Sequence, residues 1–247
     1  MEEFSEHVQV ALKQLIAKRD NYLGTLYRVE IISTDNDNGT KLNLICKIPS
    51  SDWGSEDNWQ KIHIPYEREV YVYNVILKSF EKLQNDKNLN ENQKFASYAL
   101  CHVASDVNKK EFLILEDLHA RNFVMFDKRK KMDFSHITLV AKGLAKYHAL
   151  SFVMRDQQPE KFHKILKSTQ PSRTKPITIP KFLNNDMINN MFIFLQDGKP
   201  VEICFIDWQI ARFVSPVLDL LYFFYLSTDE DIFSKNYINS RGTRVCL

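Results

Sequence analysis

An α+β fold in two parts is what this sequence predicts, and three observations predict it. Up to about residue 116, runs of β-branched and aromatic residues alternate with short polar turns around a single helical stretch. Beyond that point helical periodicity dominates, and within it one Asp-Gly turn joins two apolar runs into a small hairpin. The expected domains are therefore 1–116, an antiparallel sheet with one helix, and 117–247, mainly helical with the hairpin. At 247 residues, 44% of them apolar, the chain is long enough for one large domain or for two lobes around a cleft.

The elements follow in order. VALKQLIAK fits a strand or a helix, and its period does not separate the two. LYRVEIIS (26–33) and LNLICKI (42–48) read as strands, and the polar, Asn-Gly-containing TDNDNGTK between them makes a hairpin. YEREVYVYNVILKSFEK (66–82) places Val70, Tyr73, Leu77 and Phe80 at helical spacing, with Pro65 at the helix entrance. Residues 85–96 read as an Asn-rich loop. ASYALCHVAS and EFLILEDL are strands joined by DVNKK.

In the second part, Ser135 is the expected cap of a helix carrying Ile137, Val140, Ala141, Leu144 and His148 on one stripe. QPSRTKPITIPK, with three prolines, is a loop. MFIFLQ and VEICFI flank Asp197-Gly198, and a last helix starts near Pro216.

Composition narrows the function classes. A net charge of +2, with 26% charged residues, predicts no strong attraction to nucleic acid or membrane. The basic run at Lys128–Lys131 reads as a solvated turn. The four cysteines form no CxxC pair; Cys46 and Cys204 sit in apolar runs as small core residues. Residues 1–20 are charged throughout, unlike a signal peptide, and no apolar run reaches ~20 residues. A cytoplasmic location is the expectation.

Chemistry concentrates between Asn184 and Asp219. Asp186 and Asn190 precede the hairpin, and Asp207 follows its second strand. Two carboxylates and an amide on neighbouring loops can hold a divalent cation against phosphate and orient a hydroxyl nucleophile. The cluster around Asp186 also fits an ordinary Asx turn, and Asp207 could instead cap nearby backbone. Upstream, Lys47 shares a strand face with Ile45 and needs an anion there, phosphate or carboxylate. Glu69 shares the helix face of Tyr73, Ile76 and Phe80, which makes it the better partner for Lys47, with Glu67 in reserve. Asp219 is a buried-carboxylate candidate suited to holding loop N–H groups. His148 reads as a satisfied core histidine, and His119 could line a cleft. Ser–His–Asp, zinc and dinucleotide-binding patterns are missing.

DNYLGTLYRVEI, LICKIP, EREVYVYNVIL, FLILEDL, LAKYHALSF, DGKPVEICFIDWQ and SPVLDLLYFF stand in one order over residues 20–226. Together they resemble the ecdysteroid kinase-like family, which is related to choline kinases and aminoglycoside phosphotransferases. The resemblance implies a two-lobed protein-kinase-like fold, with the metal site on the second lobe's hairpin. It further implies ATP and Mg²⁺ as cofactors and a small-molecule hydroxyl acceptor, steroid-like or choline-like. Lys47 would grip the phosphates, paired with Glu69. Glu116 and Leu118 in FLILEDL would pass the adenine. Asp186 would orient the acceptor hydroxyl and take its proton, and Asn190 and Asp207 would hold Mg²⁺.

Three departures stand beside this. The family's His-Gly-Asp reads Asn184-Asn185-Asp186. The position five residues after the aspartate, normally asparagine, is Met191. The chain stops soon after SPVLDLLYFF, where relatives continue, so a truncated product is the expectation. The alternative to an active kinase is an impaired relative that at most binds nucleotide.

Overall fold

The computed structural model of the protein describes residues 8–14, 24–33, 41–50, 56–127, 130–169, 191–211, 213 and 215–227. It has both helices and antiparallel sheets. The described chain forms two compact units. One comprises residues up to Lys82, Ala99–Asn122 and Asp207–Ala211; the other comprises Leu83–Tyr98, Phe123–Ile206 and the chain from Arg212.

The first unit is built on a five-stranded antiparallel sheet. Its strands are β1 (Val8–Gln14), β2 (Gly24–Ser33), β3 (Lys41–Pro49), β4 (Cys101–Ser105) and β5 (Phe112–Glu116), in the order β1-β2-β3-β5-β4. The ambiguous VALKQ segment is thus a strand, paired from Val8 opposite Ser33 to Gln14 opposite Tyr27. In β3, Lys47 lies opposite Leu26 of β2 and Leu113 of β5, and Ile45 opposite Arg28 and Leu115. Directly opposed residues share a sheet face. One face therefore carries Lys47, Ile45, Leu26, Arg28, Leu113 and Leu115.

Against the sheet runs α1 (Glu56–Tyr71), continued by a π-helical turn (Val72–Leu77) and α2 (Lys78–Asp86). Pro65 does not open this helix but lies inside it. The start moves back to Glu56 because tertiary contacts hold the polar first turns. Trp59 is 1% exposed and its indole donates to Asn108, while His63 pairs with the buried Glu111. Val70, Tyr73, Leu77 and Phe80 are all buried, as their spacing predicts. The wider π turn resets the helix phase between the residues before it and those after it. The helix also runs two residues into the expected 85–96 loop, as far as Asp86.

The second unit contains β6 (Phe123–Met125), β7 (Met191–Gln196) and β8 (Lys199–Phe205) in one three-stranded antiparallel sheet, so the expected hairpin has a third strand. Asp197 and Gly198 both take positive φ, 52° and 75°, which suits a tight two-residue turn. α3 (Phe134–Gln157) packs on β8 through Gly143, where an added Cβ would lie 3.0 Å from the Phe205 ring. Its cap is Asp133 rather than Ser135. The Asp133 carboxylate accepts from the His136 backbone N–H at 2.9 Å and meets the His136 ring at 2.7 Å. Slight burial pushes this carboxyl up, but those bonds outweigh it and hold it below the ordinary range. α4 (Pro159–Thr169), not anticipated from the sequence, follows, and α5 (Pro216–Ser227) closes the unit. No helix among the described residues is long and apolar enough to cross a membrane. The Pro-rich 170–181 segment and the 34–40 turn lie outside the described residues.

A Cβ at Gly24 would lie 2.2 Å from the Ile48 carbonyl oxygen and 2.3 Å from the hydroxyl of the buried Tyr66. Gly24→Ala is therefore expected to destabilise the protein by about 1–3 kcal/mol through overpacking, read as a lower urea midpoint with an unchanged slope.

Candidate functional site

The site is built around one buried ammonium. Lys47 points from β3 toward α1, and its Nζ lies 2.7 Å from Glu69 Oε2 and 2.9 Å from Asp207 Oδ1. The Lys47 and Glu69 side chains are 8% and 1% exposed, whereas Asp207 is 35% exposed. The helix face chosen for Glu69 is what aims it here; Glu67, two residues back, is exposed. The aromatic ring of Tyr66, one turn before Val70, lies 5.9 Å from Nζ, and the ring is wholly buried.

Asp207 reaches Lys47 because of its backbone. It takes the left-handed conformation, φ 61° and ψ 68°, just before a 3₁₀ turn (Trp208–Ile210). A non-glycine residue there carries local strain, which the surrounding contacts must outweigh. Arg68 on α1 donates to the Gln209 carbonyl at 3.3 Å. The Gln209 amide, oriented with its oxygen toward Lys47, accepts from Nζ and donates to Asp207 Oδ1, both at 3.1 Å. Lys47, Glu69, Asp207 and Gln209 thus form one connected network.

Its electrostatics follow from burial and pairing. Burial alone would push the Lys47 ammonium down, but Glu69 and Asp207 outweigh it and hold the group above the ordinary lysine value. Burial pushes the Glu69 carboxyl up, opposed by Lys47 and by the Trp208 backbone hydrogen bond. Among the described residues Glu69 Oε1 has no hydrogen-bond partner. One cation facing two carboxylates leaves the cluster formally negative by one charge. Burial pushes the Cys101 thiol up to about 11.

A second set of contacts holds the segment after β5. Asp117, 4% exposed, accepts from Arg28 Nε and from the His119 N–H at 3.0 Å, and caps a 3₁₀ turn (Leu118–Arg121). Its own N–H donates to Asn43. Glu116 accepts from the Leu100 N–H at 2.8 Å and from Arg121, and Leu118 is buried.

Lys47, Glu69 and Asp207 are thus brought together, and Glu116 and Leu118 flank the Asp117 turn. Asp186 and Asn190 lie outside the described residues. Among the described residues no group of three or more His, Cys, Asp or Glu side chains is placed to hold a metal. The second unit places His148 Nε2 3.0 Å from Asp219 Oδ2. Asp219 is 37% exposed and faces this histidine, so it is not the buried carboxylate that the sequence suggests. Gln209, Tyr66, Arg28 and Asp117 escape sequence reasoning. Gln209 sits two residues after Asp207 in IDWQ, but nothing local marks its side chain as inward.

The ecdysteroid kinase-like family matches residues 18–187 and 184–239. The chain belongs to this family. The family is one of small-molecule kinases, which generally use ATP and Mg²⁺. No curated protein and no solved structure matches the chain.

Lys47→Met is expected to destabilise the protein by about 3–5 kcal/mol at pH 7, because it leaves Glu69 buried and uncompensated. Adding Glu69→Leu should restore most of the loss. The raised Glu69 carboxyl sets the sign with pH. Without Lys47 it rises further, so ionisation opposes folding above its folded value and protonation relieves it below. The Lys47→Met penalty should shrink as pH falls toward 5 in equilibrium unfolding. The stability Lys47 itself adds in the wild type is present below the ordinary lysine value of ~10.4 and is lost as pH climbs through its raised folded value.

Proposed function

We propose that this chain is an ATP-dependent small-molecule kinase that transfers the γ-phosphate to a hydroxyl of a steroid-like or choline-like acceptor. The observation that carries the reading is the Lys47–Glu69–Asp207 network, in which a buried lysine fixed by a buried glutamate faces a half-exposed carboxylate. A lysine fully satisfied for structural purposes alone would not need a second carboxylate carried on the strained Asp207 backbone.

The roles follow from exposure. Glu69 is buried and immobile, so it holds the ammonium in place. Asp207 is the partner able to turn away, which frees an Nζ donor for a phosphate oxygen and frees its own oxygens for a cation. The cluster's net negative charge favours that cation. Asp207, together with Asn190, would hold Mg²⁺, which when bound neutralises charge on the phosphates. Glu116 and Leu118 flank the segment that would pass the base. Asp186 would orient the acceptor hydroxyl and accept its proton.

A second reading is favoured by one observation. Met191, five residues after Asp186, is 1% exposed inside β7, so the position that holds the family's metal-binding asparagine is packed into a sheet. On that reading the chain binds nucleotide and transfers phosphate slowly or not at all.

Titration calorimetry with Mg·ATP and ATP-dependent phosphorylation of a steroid and choline panel test both readings. Binding with turnover supports the first, binding alone the second, and no binding overturns both. Asp207→Asn should lower turnover about 100-fold or more while leaving the fold intact.

A further inference from the structure

We propose that Arg28 is a base-binding residue of the nucleotide site, its guanidinium forming a flat platform under the purine and its orientation set by Asp117. This deepens the kinase reading above and rests on it. The strand register carries the argument. Arg28 lies opposite Ile45, and Lys47 opposite Leu26, in the same antiparallel pair. Opposed residues share a face and successive residues alternate, so Arg28, Ile45 and Lys47 project from one side of the sheet. Arg28 stands two residues along from the Lys47 position, roughly 7 Å at ~3.4 Å per residue. That displacement runs from the phosphate-gripping lysine toward the Glu116–Leu118 segment.

The hydrogen bonding is the second observation. Arg28 meets the buried Asp117 carboxylate through Nε. Among the described residues its two terminal nitrogens have no recorded partner. The side chain is 32% exposed, against 3% for Asp117. A guanidinium anchored at Nε has lost much of its rotational freedom, and this one keeps a third of its side-chain surface exposed. Planar guanidinium stacks on aromatic faces, which an ammonium does not do. Asp117 also accepts from the His119 N–H, so the same carboxylate orients the Arg28 plane and the backbone turn that would border the base. Leu115 and Ile45, opposite one another on this face, supply the apolar surround.

The role is one of binding a base rather than a phosphate, and that makes it separable. Calorimetry on the whole chain compares Mg·ATP with Mg·tripolyphosphate, which keeps the phosphates and lacks the base. The variants are Arg28→Lys, which retains a cation beside Asp117, and Asp117→Asn, which loosens the guanidinium. Thermal unfolding establishes that each is folded. The wild type should bind ATP more tightly than tripolyphosphate. Arg28→Lys should weaken ATP about tenfold and leave tripolyphosphate unchanged, with a smaller loss of the same kind in Asp117→Asn. Equal losses for both ligands, or none for either, overturn the assignment. Wild-type protein that binds the two equally overturns it while leaving the phosphate site standing. Wild-type protein that binds neither overturns the nucleotide reading and this assignment together.

Discussion

A buried ammonium held between two carboxylates is the constraint on which the first unit depends. Taking a charge from water into a protein interior costs several kcal/mol even after relaxation. The chain meets that cost with one immobile partner, Glu69, and one half-exposed partner, Asp207. Every neighbouring element serves this arrangement. β3 supplies the lysine, α1 the glutamate, and a left-handed backbone at residue 207 delivers the second carboxylate. The two acids differ in burial: the Glu69 side chain is 1% exposed and that of Asp207 35%.

The same logic explains the helix. A carboxylate on an apolar helix face is tolerable where a cation meets it, and Glu69 meets Lys47 from β3 at 2.7 Å. α1 is held at its far end by Trp59 against Asn108 and His63 against Glu111. The π turn after Tyr71 allows the apolar residues that follow to find their own packing without rotating Glu69 out of place.

Legibility from sequence varied by element for physical reasons. Hydrophobic period revealed the strands that became β2, β3, β5, β7 and β8 and the buried stripe Val70–Phe80, because these signals are local. It did not resolve VALKQ, whose pairing with β2 is a long-range choice. It placed the start of α1 at Pro65, since the anchors of the true start, Asn108 and Glu111, are some fifty residues away. Glu69 was preferred over Glu67 from helix geometry alone, and the structure puts Glu69 inside and Glu67 outside. Asp219 went the other way. Its apolar neighbours suggest burial, but its side chain meets His148 and keeps 37% of its surface exposed.

The sequence by itself determined the strands around Lys47, the hairpin at Asp197-Gly198, the residues able to carry charge into an apolar setting, and membership of the ecdysteroid kinase-like family. Each of these is written in side-chain chemistry or in short periods along the chain. Only the tertiary structure decided which charges meet. The contact of Lys47 with Asp207 joins residues 160 positions apart, and that of Arg28 with Asp117 joins residues 89 apart. Such pairings depend on strand register and on a single left-handed residue, and neither leaves a periodic trace in the sequence.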